Sequence, residues 1–149
     1  MQSAIVLAPG AEDNGLANML ADLVRQNLDA KPHKQRDFRA LQGSFSIVAD
    51  DAEVALTLRF ERGKLTIFDG IVGIPDVTIR GGSDVILALS NMPLTRPLGL
   101  PLPDPRDKEA VKTVRSVASA MAKGQFHVYG MLFNMGMLMR LTRVMSING

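Results

Sequence analysis

The chain has 149 residues, 46% of them hydrophobic and 21% charged, which is the usual balance of one globular domain with a substantial core. Its net charge of +2 is too small to imply a nucleic-acid partner. The absence of cysteine excludes disulfides, thiolate catalysis and thiolate metal sites, and it fits an expected cytoplasmic location.

The first segment, MQSAIVLAPG, contains an apolar run that Pro9 and Gly10 end early, with no basic region before it. We therefore expect neither a signal peptide nor a membrane span there. No other apolar stretch approaches the ~20 residues needed to cross a bilayer.

A first helix is predicted after Asp13 and Asn14, either of which is suited to cap it, and Lys31-Pro32 ends it. Its apolar side chains recur at helical spacing, at Leu16, Met19, Leu20, Leu23, Val24 and Leu28. The basic segment KPHKQRDFRA follows, and it predicts a solvated connection, with contact to anionic lipid headgroups as the alternative.

From Gly43 the hydrophobic period changes to two, which predicts strands. GSFSIVADD, EVALTLRFE and GKLTIFDG form a three-stranded meander with tight turns at Asp50-Asp51 and Arg62-Gly63. PDVTIRGG supplies a fourth strand, and Ser83 is a good N-cap for the short helix SDVILALSN. QFHVYG supplies the fifth strand.

The second half of the chain holds a proline-rich loop and two further helices. MPLTRPLGLPLPDP is too rich in proline for helix or sheet, and its leucines predict packing onto the body over a cavity mouth, with a plain surface loop as the alternative. A helix capped by Asp107 has an apolar face and ends at Gly124. The last helix, MLFNMGMLMRLTRVMSI, holds five of the nine methionines and is apolar nearly all round, so protein, lipid or membrane must cover it.

The order of these elements resembles that of the sterol-carrier-protein type 2 (SCP2) superfamily. The likeness is carried by GSFSIVADD, RGKLTIFDG, PDVTIRGGSDVILALSNM and KGQFHVYGMLFNMGMLMRLTRVMS, and it covers the chain from Ala11 onward. It implies one α/β (α+β) domain over residues 1–149, with a five-stranded, mainly antiparallel sheet covered by helices on one face. Family members hold an apolar tunnel there for fatty acids, acyl-CoA, sterols or similar lipids, without chemistry of their own. This chain departs from compact members in the longer segment before the last strand.

The resemblance therefore favours non-catalytic binding or transfer of an apolar ligand. Burial of each ligand CH₂ contributes ~0.8 kcal/mol, so a long acyl chain binds well without polar contacts. The predicted lining comes from the sheet and the last two helices: Phe45, Leu56, Leu58, Val114, Val117, Met121, Leu132, Met135, Leu138 and Met139.

Catalytic and metal-binding patterns are weak in this sequence. His127 and Tyr129 share one strand face, where they could act as acid and base, but a hydrogen-bonded structural pair is the preferred interpretation. The acidic group at Asp50, Asp51 and Glu53 favours a turn over a metal site. We expect no catalytic residues, no metal and no cofactor.

Two other functions remain open at this stage. One is a protein–protein interaction module, including a homodimer, which uses the apolar last helix and the proline-rich loop. The other is transient membrane contact through the basic segment and the last helix, with Arg140 and Arg143 at the headgroups.

Overall fold

The computed structural model describes residues 4–88, 106, 108–130 and 134–146, and within them a mixed sheet is covered by helices. In chain order the strands are β1 (Ala4–Leu7), β2 (Gly43–Ala49), β3 (Val54–Glu61), β4 (Lys64–Asp69), β5 (Val77–Gly81) and β6 (Phe126–Tyr129). The helices are α1 (Gly15–Ala30), α2 (Lys34–Ala40), α3 (Ser83–Ala88), α4 (Lys108–Ala122) and α5 (Met135–Met145), with a 3₁₀ turn at Ala11–Asp13. The predicted α/β class is confirmed.

The strands lie side by side in the order β1-β4-β3-β2-β5-β6. β2, β3 and β4 form the predicted antiparallel meander, and β6 pairs with β5 antiparallel. β5 runs parallel to β2, and β1 runs parallel to β4. The predicted number of five strands is wrong by one, since β1 is the sixth. Its residues AIVL show no alternation, and only pairing with a strand far along the chain makes them a strand.

The β3–β4 hairpin confirms the predicted tight turn. Arg62 and Gly63 have φ angles of +48° and +78°, so both adopt the left-handed conformation. Two such residues in succession make the short turn whose twist matches that of the flanking strands. At the other end of β3, the turn that joins it to β2 spans residues 50–53, and Glu53 has a φ of +53°.

The two faces of the sheet differ in what covers them. Phe45 and Ile47 of β2 lie opposite Leu58 and Leu56 of β3, and all four are buried. They belong to one core cluster with side chains of every helix, including Ile86 of α3. We call this side the helix-covered face and the opposite side the open face.

A connecting segment, residues 70–76, crosses the open face. β4 and β5 run in the same direction but are separated by β3 and β2, so the chain must return across the sheet between them. Thr57, whose side chain is on the open face, fixes the path. Its hydroxyl donates to the Gly70 carbonyl at 2.9 Å and accepts from the Val72 N–H at 3.0 Å.

Helix α1 begins at one of the two predicted caps. The side-chain oxygen of Asn14 accepts a hydrogen bond from the Ala17 N–H at 3.1 Å, which satisfies a free donor of the first turn. The amide nitrogen of the same side chain donates to the Ala55 carbonyl and to the Asp69 carboxylate. One asparagine therefore both starts the helix and attaches it to the sheet.

The basic segment that was predicted to be a solvated connection contains α2. Phe38 is buried, and its ring meets that of Phe60 edge to face, with 5.9 Å between the centroids. Lys34 is buried as well. The prediction was wrong because the many charges of this segment conceal one buried aromatic, whose packing orients the whole helix.

Candidate functional site

The predicted lining from the sheet lies together on the helix-covered face. Phe45 and Leu58 are direct cross-strand partners, and Leu56 follows one step along the same face of β3. All three are fully buried, and the Phe45 ring meets Phe60 edge to face at 5.7 Å. These side chains form the floor on which the helices pack.

Helix α4 contributes Val117 to this core, together with Ala120, which was not predicted. Val114 is half-buried, and 42% of the Met121 surface is exposed, so the helix is turned away from the predicted orientation. Gly124 ends the helix as predicted. It has a φ of +71°, and its N–H bonds to the Met121 carbonyl.

In the described part of the last helix, Leu138 packs against the core and Met139 is half-buried, whereas 48% of the Met135 surface is exposed. Met137, which was not predicted, also packs against the core. A Cβ on Gly43 would lie 2.5 Å from the Met137 Cε, so this methionine occupies the space that the glycine leaves open. Leu132, the proline-rich loop 92–105 and the Asp107 cap lie outside the described residues.

Polar side chains from α1 and α2 hold the C-terminal end of α5. The Asn27 amide donates to the Val144 and Met145 carbonyls at 3.0 and 2.8 Å, and the Lys34 ammonium bonds to the Ser146 carbonyl. These carbonyls belong to the last helical turn or follow it, where no intrahelical donor remains. Burial, with the charge of Lys31 as a smaller cause, lowers the pKa of Lys34 to about 8.

A charge pair completes the attachment of α5. The Arg143 guanidinium binds the Asp37 carboxylate of α2 through two hydrogen bonds, of 3.1 and 3.2 Å. Of the two arginines predicted to reach lipid headgroups, Arg143 is therefore engaged within the protein, whereas Arg140 is exposed.

The other end of α5 is fixed at the sheet. The Asn134 amide donates to the carbonyls of Asp76 and Gly130 at 3.2 and 2.9 Å. Gly130 has a φ of +83°, and any Cβ there would overlap the Asp76 carbonyl oxygen. Both ends of the methionine-rich helix are therefore positioned by specific contacts with distant parts of the chain.

The candidate acid–base pair lies away from the lining. The His127 and Tyr129 rings stack with 5.8 Å between centroids, and both side chains are exposed on the open face. The His127 Nε2 lies 2.9 Å from the Gly124 carbonyl oxygen. Asp51, from the acidic turn, accepts hydrogen bonds from the N–H and hydroxyl of Ser83, which lowers its pKa. Within the described part of the chain, no three His, Asp or Glu side chains are grouped to hold a metal.

A polar pocket of about 400 Å³ opens at the end of the sheet where β2 begins and β3 ends. Its walls are formed by Gln42, Gly43, Ser44, Arg59, Phe60, Glu61, Arg62 and Asp76. Composition and periodicity did not predict this pocket, because its residues come from two strands, a hairpin turn and the crossing segment. Its polar walls distinguish it from the apolar lining of the helix-covered face.

Three solved structures resemble this arrangement. A ubiquinone synthesis protein, UbiJ-SCP2, superposes with a TM-score of 0.56 and 12% identity over 89% of this chain and 94% of its own. A crystal structure of sterol carrier protein 2 gives 0.48 and 13% over 85% and 91% of the two chains. A conserved hypothetical protein of Thermus thermophilus, described as a candidate sterol carrier protein, gives 0.42 and 12% over 82% and 79%.

The sequence matches no protein-family profile and no curated protein. Among the described helices, none has the length and apolar character needed to cross a membrane. On the strength of the likeness to the UbiJ-SCP2 structure, which spans most of both chains, this chain has the fold of an SCP2 domain.

Proposed function

We propose that the protein binds or transfers an apolar ligand, such as a fatty acid, acyl-CoA, sterol or similar lipid, between the sheet and its helices, without catalysis. The arrangement of the helices over one apolar sheet face is the observation that carries the proposal. α1 contacts β1, β3 and β4, and α5 packs on α1 and α2. α3 packs on β5 and α4, while α4 contacts β6.

The two helix groups therefore lie over opposite halves of the same apolar sheet face, and strand β2 lies between those halves. A ligand could enter such a junction by separating two packed groups, without breaking a sheet. Met137, Leu138 and Met139 of α5 are half-buried rather than sealed in the core. Methionine side chains adapt to ligands of varied shape, which supports a role for this segment as part of the lining.

Native mass spectrometry of the purified protein, followed by solvent extraction and lipid analysis, tests the proposal. We expect a stoichiometric lipid, or uptake of added fatty acid at one molecule per chain. Met139→Arg places a charge in the proposed lining and should abolish uptake. Met19→Arg changes the same residue type at an exposed position of α1 and should leave uptake unchanged.

Circular dichroism should show that both variants are folded before their uptake is compared. A protein that carries no lipid and takes up none from a varied panel would contradict the proposal. In that event a stable dimer would favour the interaction-module alternative. Equal uptake by Met139→Arg and the wild type would remove α5 from the lining.

A further inference from the structure

The segment that crosses the open face presents two isoleucines to solvent. Ile71 is 57% exposed and Ile74 is 95% exposed. Exposed apolar side chains are common singly, but here two of them lie within four residues on one short segment. We call this segment, residues 70–76, the isoleucine crossing.

Hydrogen bonds hold the isoleucine crossing in place on both sides of its apolar side chains. Thr57 binds it at Gly70 and Val72, as described above, and the Asp76 carboxylate accepts a hydrogen bond from the Ser44 N–H at 2.9 Å. The isoleucines therefore point outward although the segment itself is not loose. They are held there by a backbone that is attached to the sheet.

Two arginines lie beside the isoleucine crossing. The Arg59 guanidinium stacks 5.1 Å above the Phe68 ring, and its Nη2 lies 3.9 Å from the position that a Cβ on Gly73 would take. Arg62, at the hairpin turn, lines the same polar pocket as Arg59. Among the described residues, neither arginine has a carboxylate within ion-pair distance, since the ion pairs there use Arg25, Arg80 and Arg143.

The pocket also contains the carboxylates of Asp76 and Glu61, which balance the formal charge of the two arginines but form no ion pair with either of them. Asp76 accepts a hydrogen bond from the Ser44 N–H instead, and Glu61 is exposed. The half-buried Arg59 is oriented by its aromatic partner and faces a pocket of about 400 Å³. A phosphate-bearing headgroup could enter that space and meet a guanidinium in a bidentate geometry.

We propose that this surface docks the protein on an anionic lipid bilayer. Ile71 and Ile74 enter the boundary between headgroups and acyl chains, and Arg59 and Arg62 bind the headgroup phosphates. This contact differs from the one predicted from the sequence, which relied on the basic segment and α5. There Lys34 is buried and Arg143 is paired with Asp37. The docking requires no internal ligand, so it stands apart from the proposed lipid cargo.

Cosedimentation with vesicles tests the docking surface. We expect the protein to bind vesicles of phosphatidylcholine mixed with phosphatidylglycerol, and to bind pure phosphatidylcholine much more weakly, with affinity falling as salt is added. Ile74→Asp should weaken binding about tenfold or more, as expected for a lost buried aliphatic side chain. Arg59→Gln and Arg62→Gln should each weaken it about fivefold.

Matched controls make the test specific. Met19→Asp alters an exposed apolar residue on α1, and Arg115→Gln removes an exposed arginine from α4. Both should bind as the wild type does. Absence of binding to the anionic vesicles overturns the proposal, as does equal binding to the neutral ones. Equal losses in controls and test variants, all shown to be folded by circular dichroism, overturn it too. Protein stripped of lipid should dock unchanged, which separates this result from that for cargo.

Discussion

Asn27 is the residue whose replacement most directly tests how the methionine-rich helix is held. Its side chain is buried in α1, and its amide supplies both hydrogen bonds to the carbonyls of Val144 and Met145. Asn27→Ala removes both donors and leaves two carbonyls at the end of α5 without them. Because the site is buried, water does not simply replace the lost amide.

The expected cost follows from these two bonds. Removing the donor of one such bond, which leaves its buried acceptor unsatisfied, costs about 1–2 kcal/mol. We therefore expect Asn27→Ala to lower the free energy of unfolding by roughly 2–4 kcal/mol, a large part of the usual stability of a domain. At this chain length each kcal/mol lowers Tm by about 2–4 °C.

Asn27→Asp sharpens the test, since it keeps the size of the side chain but replaces its donors with acceptors. A carboxylate there faces two carbonyls at the negative end of a helix. It should destabilise the protein more than Asn27→Ala at neutral pH, and less once acid protonates it and restores a donor.

Urea unfolding followed by circular dichroism measures these differences. Gln26→Ala changes the neighbouring, exposed position of the same helix and should shift stability by less than about 0.5 kcal/mol. If Asn27→Ala differed from Gln26→Ala by no more than that, the amide would not be holding α5. The reasoning would then be refuted.

Three further predictions concern stability. Gly130→Ala should cost about 2 kcal/mol or more in urea unfolding, because of its positive φ and the overlap with a carbonyl. A Cβ on Gly136, which lies in helix α5, would meet nothing within 4 Å, so Gly136→Ala should stabilise the protein by about 0.5–1 kcal/mol. Equal effects of Gly130→Ala and Gly136→Ala would contradict the geometry. Burial lowers the pKa of Lys34 from 10.5 to about 8. The stability of the wild type relative to Lys34→Met should therefore rise as the pH increases from about 8 to 10.5. A stability difference that does not change over this pH range in urea titrations would argue against the prediction. Hydrogen bonds from Ser83 lower the pKa of Asp51. The carboxylate therefore stabilises the fold at pH values above its ordinary pKa of 3.8, and this stabilisation is lost as the pH falls through the lowered pKa. Asp51→Asn should therefore be less stable at neutral pH by thermal melting and lose its difference from the wild type in strong acid; an equal difference at all pH values would contradict this.

Local patterns in the sequence were sufficient for much of the fold. The cap at Asn14, the meander and the Arg62-Gly63 turn depend on residues close together in the chain, and the structure has all three. β1 and α2 depend on distant partners. Four apolar residues become a strand only beside β4, and a charged segment becomes a packed helix only where Phe38 meets Phe60.

The predicted lining shows the same difference between residues placed by local sequence patterns and residues placed by contacts with distant parts of the chain. Alternation along β2 and β3 was enough to place Phe45, Leu56 and Leu58 on one buried face, because side chains of a strand point to opposite sides in turn. The orientation of α5 was not determined in this way, since a helix apolar over most of its circumference has no single face that must turn inward. Contacts at its two ends, made by Asn27 and Asn134 across the fold, decide which of its methionines meet the core.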